Sequence, residues 1–347
     1  MTAAATQPIL LALALLGGGA PQSTPALVSG PNPQMQAVLD AMKSLGGKPI
    51  EDLLPAEART QPTAADAVKA VLKAAGKPIE PEPVAKVDDL PIPGPAGPIP
   101  ARIYTPTGTG PFPVLVYYHG GGWVLADLDT YDATPRALAN AAGCIVVSSH
   151  YRQGPEDRFP AAPDDALAAY RWVVANAASF GGDPTRVAVG GESAGGNLAA
   201  VTAIRARDLG LPAPVHQLLV YPVTNAAYNT PSYAENAEAR PLNKAMMEWF
   251  WQYYIAKPED GLDPHASPLL DEKGGPLPTA TVITADIDPL RDDGKLYAAK
   301  LATAGVKTEH RNFEGVTHEF FGMGAVLDSA KEAVAFAAER LKGSFAK

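Results

Sequence analysis

A chain of 347 residues, 46% hydrophobic and 19% charged, can bury one large core with an appendage or two ordinary ones, and its mean hydropathy of -0.04 argues against an integral membrane protein. A formal charge of -9 repels phosphate backbones, which excludes nucleic acid as a natural partner and favours a neutral or cationic small molecule. The single cysteine, Cys144, excludes an intramolecular disulfide and a cysteine-based metal cluster, and it opens an apolar run, where a buried thiol is expected.

In chain order, the first apolar run covers residues 9–16, far short of the roughly 20 residues a membrane helix needs, so no integral span is expected. Its length suits the apolar part of a secretory signal, and Gly18, Gly19 and Ala20 offer small residues for cleavage. No Lys or Arg precedes Lys43, however, and Pro21 would follow the cut. Residues 1–32 are therefore read as an extension of open role. A cytoplasmic location is expected, with export as the alternative if residues 1–20 act as a signal.

Met35, Val38, Leu39, Met42 and Leu45 recur at helical spacing until Gly46 and Gly47 stop the pattern. A second helix fits residues 63–75, with Val68, Val71 and Leu72 on one face and Gly76 at its end. Nothing before residue 80 has the residue types catalysis needs. Strands are expected over residues 84–90 and 99–104, with the Pro- and Gly-rich stretch 91–98 between them read as turn or loop. Residues 112–119 form a buried strand by their apolar run, which ends in His119-Gly120-Gly121-Gly122-Trp123, and residues 144–149 form another.

An amphipathic helix over residues 164–180 leads to the sequence RVAVGGESAGGNL at residues 186–198, which reads as strand, sharp turn and helix. The spacing Gly191-x-Ser193-x-Gly195 is that of a nucleophile elbow, because small neighbours let other backbone approach a serine held on a strained turn. A strand follows at residues 215–221. Strands alternating with helices imply an α/β fold with a mostly parallel central sheet covered on both faces, and ligands bound at the carboxyl ends of the strands.

The alternation breaks between residues 226 and 262, where an aromatic-rich helix carries Trp249, Phe250 and Tyr253. Core packing accounts for such a helix, and so does a lid whose aromatics line an acyl pocket. On the second reading these three residues and Trp123 contact substrate. The sheet resumes at residues 280–285, a helix spans residues 292–304, the last strand covers residues 307–313, and a helix over residues 328–341 closes the chain.

A serine hydroxyl needs a base to take its proton and an acid to hold that base in one tautomer. His318, in the loop after the last strand, fits the chain order Ser, Asp or Glu, His. His310 lies inside a predicted strand, and His150, His216 and His265 are read as structural. Asp286, Asp288, Asp292 and Asp293 compete for the acid. Asp292 and Asp293 are placed to cap the following helix and Asp286 is almost on the strand, so Asp288 is favoured without being singled out. The developing oxyanion needs backbone donors at close range, supplied by Gly121, Gly122 and Ala194, the residue after the nucleophile.

The set HGGGW at residues 119–123, GESAGG at 191–196, DPLRD at 288–292 and HEF at 318–320 resembles the hormone-sensitive lipase family of bacterial esterases, and YRQGPEDRFPAA at 151–162 is similar to that family's intervening segment. The resemblance covers residues 33–341. It implies an α/β-hydrolase core of residues 84–225 and 263–347, and a helical cap built from the helices of residues 33–83 and the 226–262 insertion. It also implies serine carboxylesterase chemistry on short- to medium-chain acyl esters without metal or cofactor, and it selects Asp288 as the acid. A homodimer through the last strand is a further family expectation, although Lys307, Glu309 and Arg311 would equally protect a bare edge. Two departures stand out. Glu192 precedes the nucleophile where Asp is more usual, and Gln153, Gly154 and Asp157 replace Leu, Ala and His. Plant hormone receptors that resemble the family bind without catalysis and lack the base; His318 is present here.

Overall fold

Apolar strands that alternate with helical segments need cover on both faces, and the computed structural model, which describes residues 30–346, builds that arrangement. The first segment comprises α1 (Pro33–Ser44), α2 (Pro55–Ala58) and α3 (Ala64–Ala74). Asn32 caps α1 by accepting from the Met35 N–H, and Thr63 and Asp66 form a reciprocal capping box on α3. Then come β1 (Lys86–Gly94), β2 (Gly97–Thr105), β3 (Phe112–Tyr118), α4 (Ala133–Ala142), β4 (Ile145–Ser149), α5 (Ala161–Asn176), β5 (Gly182–Glu192), α6 (Ala194–Asp208) and β6 (Gln217–Val220). The insertion holds α7 (Pro231–Glu235) and α8 (Lys244–Tyr254), after which β7 (Ala280–Ile287), α9 (Arg291–Thr303), β8 (Thr308–Thr317) and α10 (Asp328–Phe345) complete the chain.

The eight strands form one sheet in the order β1-β2-β4-β3-β5-β6-β7-β8, parallel from β4 to β8 and antiparallel at the β1 and β2 end. Alternate strand residues face opposite layers. Val114, Val116 and Tyr118 of β3 belong to the core layer on the side of α5, α6 and α9, whereas Leu115 and Tyr117 belong to the layer on the side of α4 and α10. This is the expected doubly covered α/β-hydrolase architecture.

Three local expectations change. The stretch 91–98 is not loop: β1 and β2 run through it, pairing Pro91 with Pro100 and Pro93 with Pro98. A proline cannot donate, so these are the non-hydrogen-bonded pairs of the ladder, and the strand at the sheet edge loses no bond. Helix α4, the crossover between β3 and β4, has no counterpart in the sequence reading; Gly143 ends it at φ 63. Asp292 and Asp293 do not cap α9. Asp292 accepts from the Ser232 N–H at 3.0 Å and so holds the insertion, while Asp293 accepts from the Thr224 N–H at 3.0 Å and holds the segment that leads into it.

The insertion meets the N-terminal segment directly. Trp249 donates through Nε1 to the Leu53 carbonyl at 2.9 Å, and Asn243 donates to Glu51 at 2.8 Å. Helix α1 has a different neighbour: Met35 and Val38 are buried among Phe313, Val316 and Phe320 of the second core layer. The signal-like run at residues 9–16 lies outside the described residues, and among the described residues no helix is long and apolar enough to cross a membrane.

Candidate active site

Parallel strands deliver their carboxyl ends to one rim of the sheet, and the loops there carry His119 after β3, Ser193 after β5, Asp288 after β7 and His318 after β8. Ser193 sits between β5 and α6 at φ 57 and ψ -118, a strained conformation for a non-glycine residue. The turn leaves no room for side chains beside it. A Cβ on Gly195 would lie 1.9 Å from the Tyr118 carbonyl oxygen, and one on Gly191 would lie 2.4 Å from the Gly195 carbonyl. Trp123, Tyr221 and Glu319, close to the same rim, also have positive φ.

His318 Nδ1 lies 2.7 Å from Asp288 Oδ2 in a buried pair. The other Asp288 oxygen accepts from the Leu290 N–H at 2.8 Å, so the carboxylate is held at both ends. Ser193 and His318 line one cavity of about 1700 Å³, together with Gly121, Gly122 and Phe250. Among the described residues no hydrogen bond joins Ser193 Oγ to the His318 ring; contacts of this kind are often long until a substrate binds. Burial disfavours the charged His318, but the Asp288 carboxylate, backed by Glu319 and Glu192, outweighs it and holds the pKa above its ordinary value.

The glycine run owes its composition to crowding. A Cβ on Gly122, at φ 57, would meet Phe250 Cδ1 at 2.1 Å, and one on Gly121, at φ 97, would meet the Leu125 carbonyl oxygen at 2.2 Å. The loop is closed by bonds from the Val124 and Leu125 N–H groups to the Gly121 carbonyl, while the Gly121 and Gly122 N–H groups donate to nothing among the described residues. Ala194 opens α6, so its own N–H is free of the helix ladder.

Of the four aromatic residues expected to contact substrate, only Phe250 lines the cavity. Trp123 points away from it into the core, stacked on Tyr254 at 4.0 Å between ring centroids and tilted against Trp251 at 4.9 Å. Trp249 is turned toward Leu53, and Tyr253 packs against the Trp249 ring at 4.8 Å. On an 11-residue helix buried on several sides only some residues can face the cavity, and the packing reading of this helix describes the other two aromatics better.

Three features of the site have roles that the sequence does not show, although Glu192 and Gln153 stand out there as departures from the family pattern. Glu192 is fully enclosed and accepts hydrogen bonds from the Tyr117 and Tyr221 hydroxyls; burial pushes its carboxyl up to about 7 against those two bonds. The Tyr221 ring then packs 4.4 Å from His318, so Glu192 braces the base from behind. Glu319 accepts from the Tyr131 hydroxyl at 2.6 Å and lines the cavity. Gln153 donates to the Leu125 and Ala126 carbonyls at 2.7 and 3.1 Å, which pins the end of the glycine loop. Leucine, more usual at that position, could not do this.

Residues 115–322 match a family described as having the alpha/beta hydrolase fold. A carboxylesterase of Mycobacterium tuberculosis, NlhH, is 46% identical over 243 residues, 68% of this chain and 75% of that protein. An ethyl acetate hydrolase of Pseudomonas putida is 40% identical over 248 residues, 70% of this chain and 78% of its own. Among solved structures, a hyperthermophilic esterase from Pyrobaculum calidifontis superposes with a TM-score of 0.82 at 40% identity, covering 91% of this chain and 99% of that one. With the elbow, the doubly covered sheet and these relatives in agreement, the chain belongs to the α/β-hydrolase fold family and stands among its carboxylic ester hydrolases.

Proposed function

We propose that the chain is a serine carboxylesterase of the hormone-sensitive lipase family, hydrolysing short- to medium-chain acyl esters through an acyl-enzyme on Ser193. Ser193 Oγ attacks the ester carbonyl carbon while His318 Nε2 takes its proton, and Asp288 holds the Nδ1–H and stabilises the imidazolium that forms. The Gly121, Gly122 and Ala194 N–H groups receive the oxyanion. His318 then gives the proton to the departing alkoxide, and a water activated by the same ring releases the acid.

The observation that carries this reading is the buried 2.7 Å His318 to Asp288 bond on the wall of the cavity that Ser193 also lines. Leu53 and the insertion, joined through Trp249, support the reading of a two-part helical cap over that cavity. Replacing Ser193 with Ala is expected to abolish p-nitrophenyl butyrate hydrolysis while circular dichroism stays unchanged. A folded variant that keeps most of its activity, or a parent enzyme that a fluorophosphonate fails to label at Ser193, would overturn it.

A further inference from the structure

The loop after β4 places a second imidazole, that of His150, in the cavity that Ser193 lines, and a chain of hydrogen bonds fixes which of its nitrogens carries the proton. His119 Nδ1 lies 2.7 Å from the Gly120 carbonyl oxygen. A carbonyl only accepts, so Nδ1 carries the hydrogen. Burial pushes the His119 pKa down to about 3, so the ring is neutral and its Nε2 is a bare lone pair. That lone pair lies 3.0 Å from His150 Nδ1, with the two rings only 20° from coplanar, as an in-plane N–H to N bond requires. His150 Nδ1 must therefore donate. The order is enforced from the far end, because Tyr151 stacks on the His119 ring at 4.7 Å and donates to the His119 carbonyl at 2.9 Å, fixing both ring and loop.

With Nδ1 spent, neutral His150 presents Nε2 as an acceptor. That atom has no protein partner among the described residues, and the half-buried ring lines the same cavity as Ser193, with the Asp127 carboxylate and the Arg59 guanidinium near it. Two carboxylates that share this cavity are already occupied, Asp127 by the Thr130 N–H and hydroxyl and Glu319 by the Tyr131 hydroxyl, whereas the His150 lone pair meets no donor among the described residues and so selects for what it meets. We propose that His150 is a specificity-determining residue that accepts a hydrogen bond from substrate, favouring esters that carry a hydroxyl or N–H donor in their alcohol or acyl half over esters with a methyl group in that place. The inference rests on the cavity being the ester site.

Two measurements on the intact enzyme test it. The first compares kcat/KM at pH 8 for the monobutyrates of ethanediol, 1,3-propanediol and 1,4-butanediol with propyl, butyl and pentyl butyrate, and for methyl hydroxyalkanoates with their methyl-terminated partners. At least one hydroxyl ester is expected to exceed its partner by about 3- to 10-fold, the worth of one hydrogen bond, and that ratio is expected to fall toward one in His150→Phe. Ratios near one throughout the parent enzyme, or a preference that survives intact in His150→Phe, would overturn the proposal. The second reads tautomers in the parent by long-range ¹H–¹⁵N correlation, which needs no variant to fold. Nδ1–H is expected on both His119 and His150, and Nε2–H on His150 would overturn it. Loss of the ester reading itself has another signature: hydrolysis that persists in Ser193→Ala.

Discussion

Glu319 follows the base directly, sits at φ 70 and has its carboxylate fixed by the Tyr131 hydroxyl at 2.6 Å. Its negative charge is one of those that raise the His318 pKa after burial has lowered it. A neutral amide removes that charge at nearly constant shape, so Glu319→Gln is expected to move the acid limb of the kcat/KM profile to lower pH. An acid limb that stays in place would show the Glu319 charge to be screened from the ring. At Gly122 the constraint is steric: an added methyl meets Phe250 at 2.1 Å and must also hold φ 57. Gly122→Ala is expected to displace the loop and lower kcat by about 100-fold or more, with a smaller change in KM, on p-nitrophenyl butyrate. A folded variant keeping more than about a tenth of kcat would count against Gly122 as an oxyanion donor.

At the scale of elements, the N-terminal segment and the insertion are joined by few polar contacts, of which the bond from Trp249 Nε1 to the Leu53 carbonyl is buried. Trp249→Phe removes the donor and keeps most of the ring volume, and is expected to cost about 0.5–1.5 kcal/mol in urea unfolding. Trp249→Ala also empties the site, and about 3–5 kcal/mol is expected. Equal losses in the two variants would show that the ring's packing contributes little. The same elements show where sequence could and could not be read. The elbow at Ser193 was legible because its requirements are local: glycines two residues either side of a serine, between an apolar run and a helix. The choice among Asp286, Asp288, Asp292 and Asp293 was not, because each role depends on a distant partner. Asp293 is defined by Thr224 and Asn225, Asp292 by Ser232, and Asp288 by His318. Trp123 closes the glycine motif in sequence, yet stacking on Tyr254 turns it into the core. The prolines of β1 and β2 read as loop because pairing class, which makes them harmless, is a property of two strands together.

Across the whole molecule the buried ionisable groups set a pH window in which stability and the proposed chemistry pull apart. Burial raises Glu192 from 4.5 to about 7 and Asp293 from 3.8 to about 7, and both are enclosed within the fold. Each folded pKa exceeds its unfolded value, so the folded chain binds these protons more tightly. The stability that follows is complete below pH about 4 and is lost as pH rises through about 7. His119 has the opposite sign. Its folded pKa of about 3 lies below the unfolded 6.5, so its contribution is complete above 6.5 and disappears as pH falls toward 3. The two trends oppose each other on the acid side, and above about pH 6.5 the carboxyl trend remains, joined by that of His318, whose raised folded pKa makes its own contribution fade as it loses the proton it must lose to act as base. The urea midpoint is therefore expected to fall between pH 6 and pH 8.5 while kcat/KM rises. Asp293 offers the clean check, because its Oδ2 accepts from Thr224 and Asn225 while Oδ1 has no partner. Asparagine keeps the acceptor and cannot ionise, so Asp293→Asn is expected to lose less stability across that interval than the parent. A parent midpoint that holds steady or rises from pH 6 to 8.5, or an equal fall in both proteins, would place the origin of the pH dependence elsewhere.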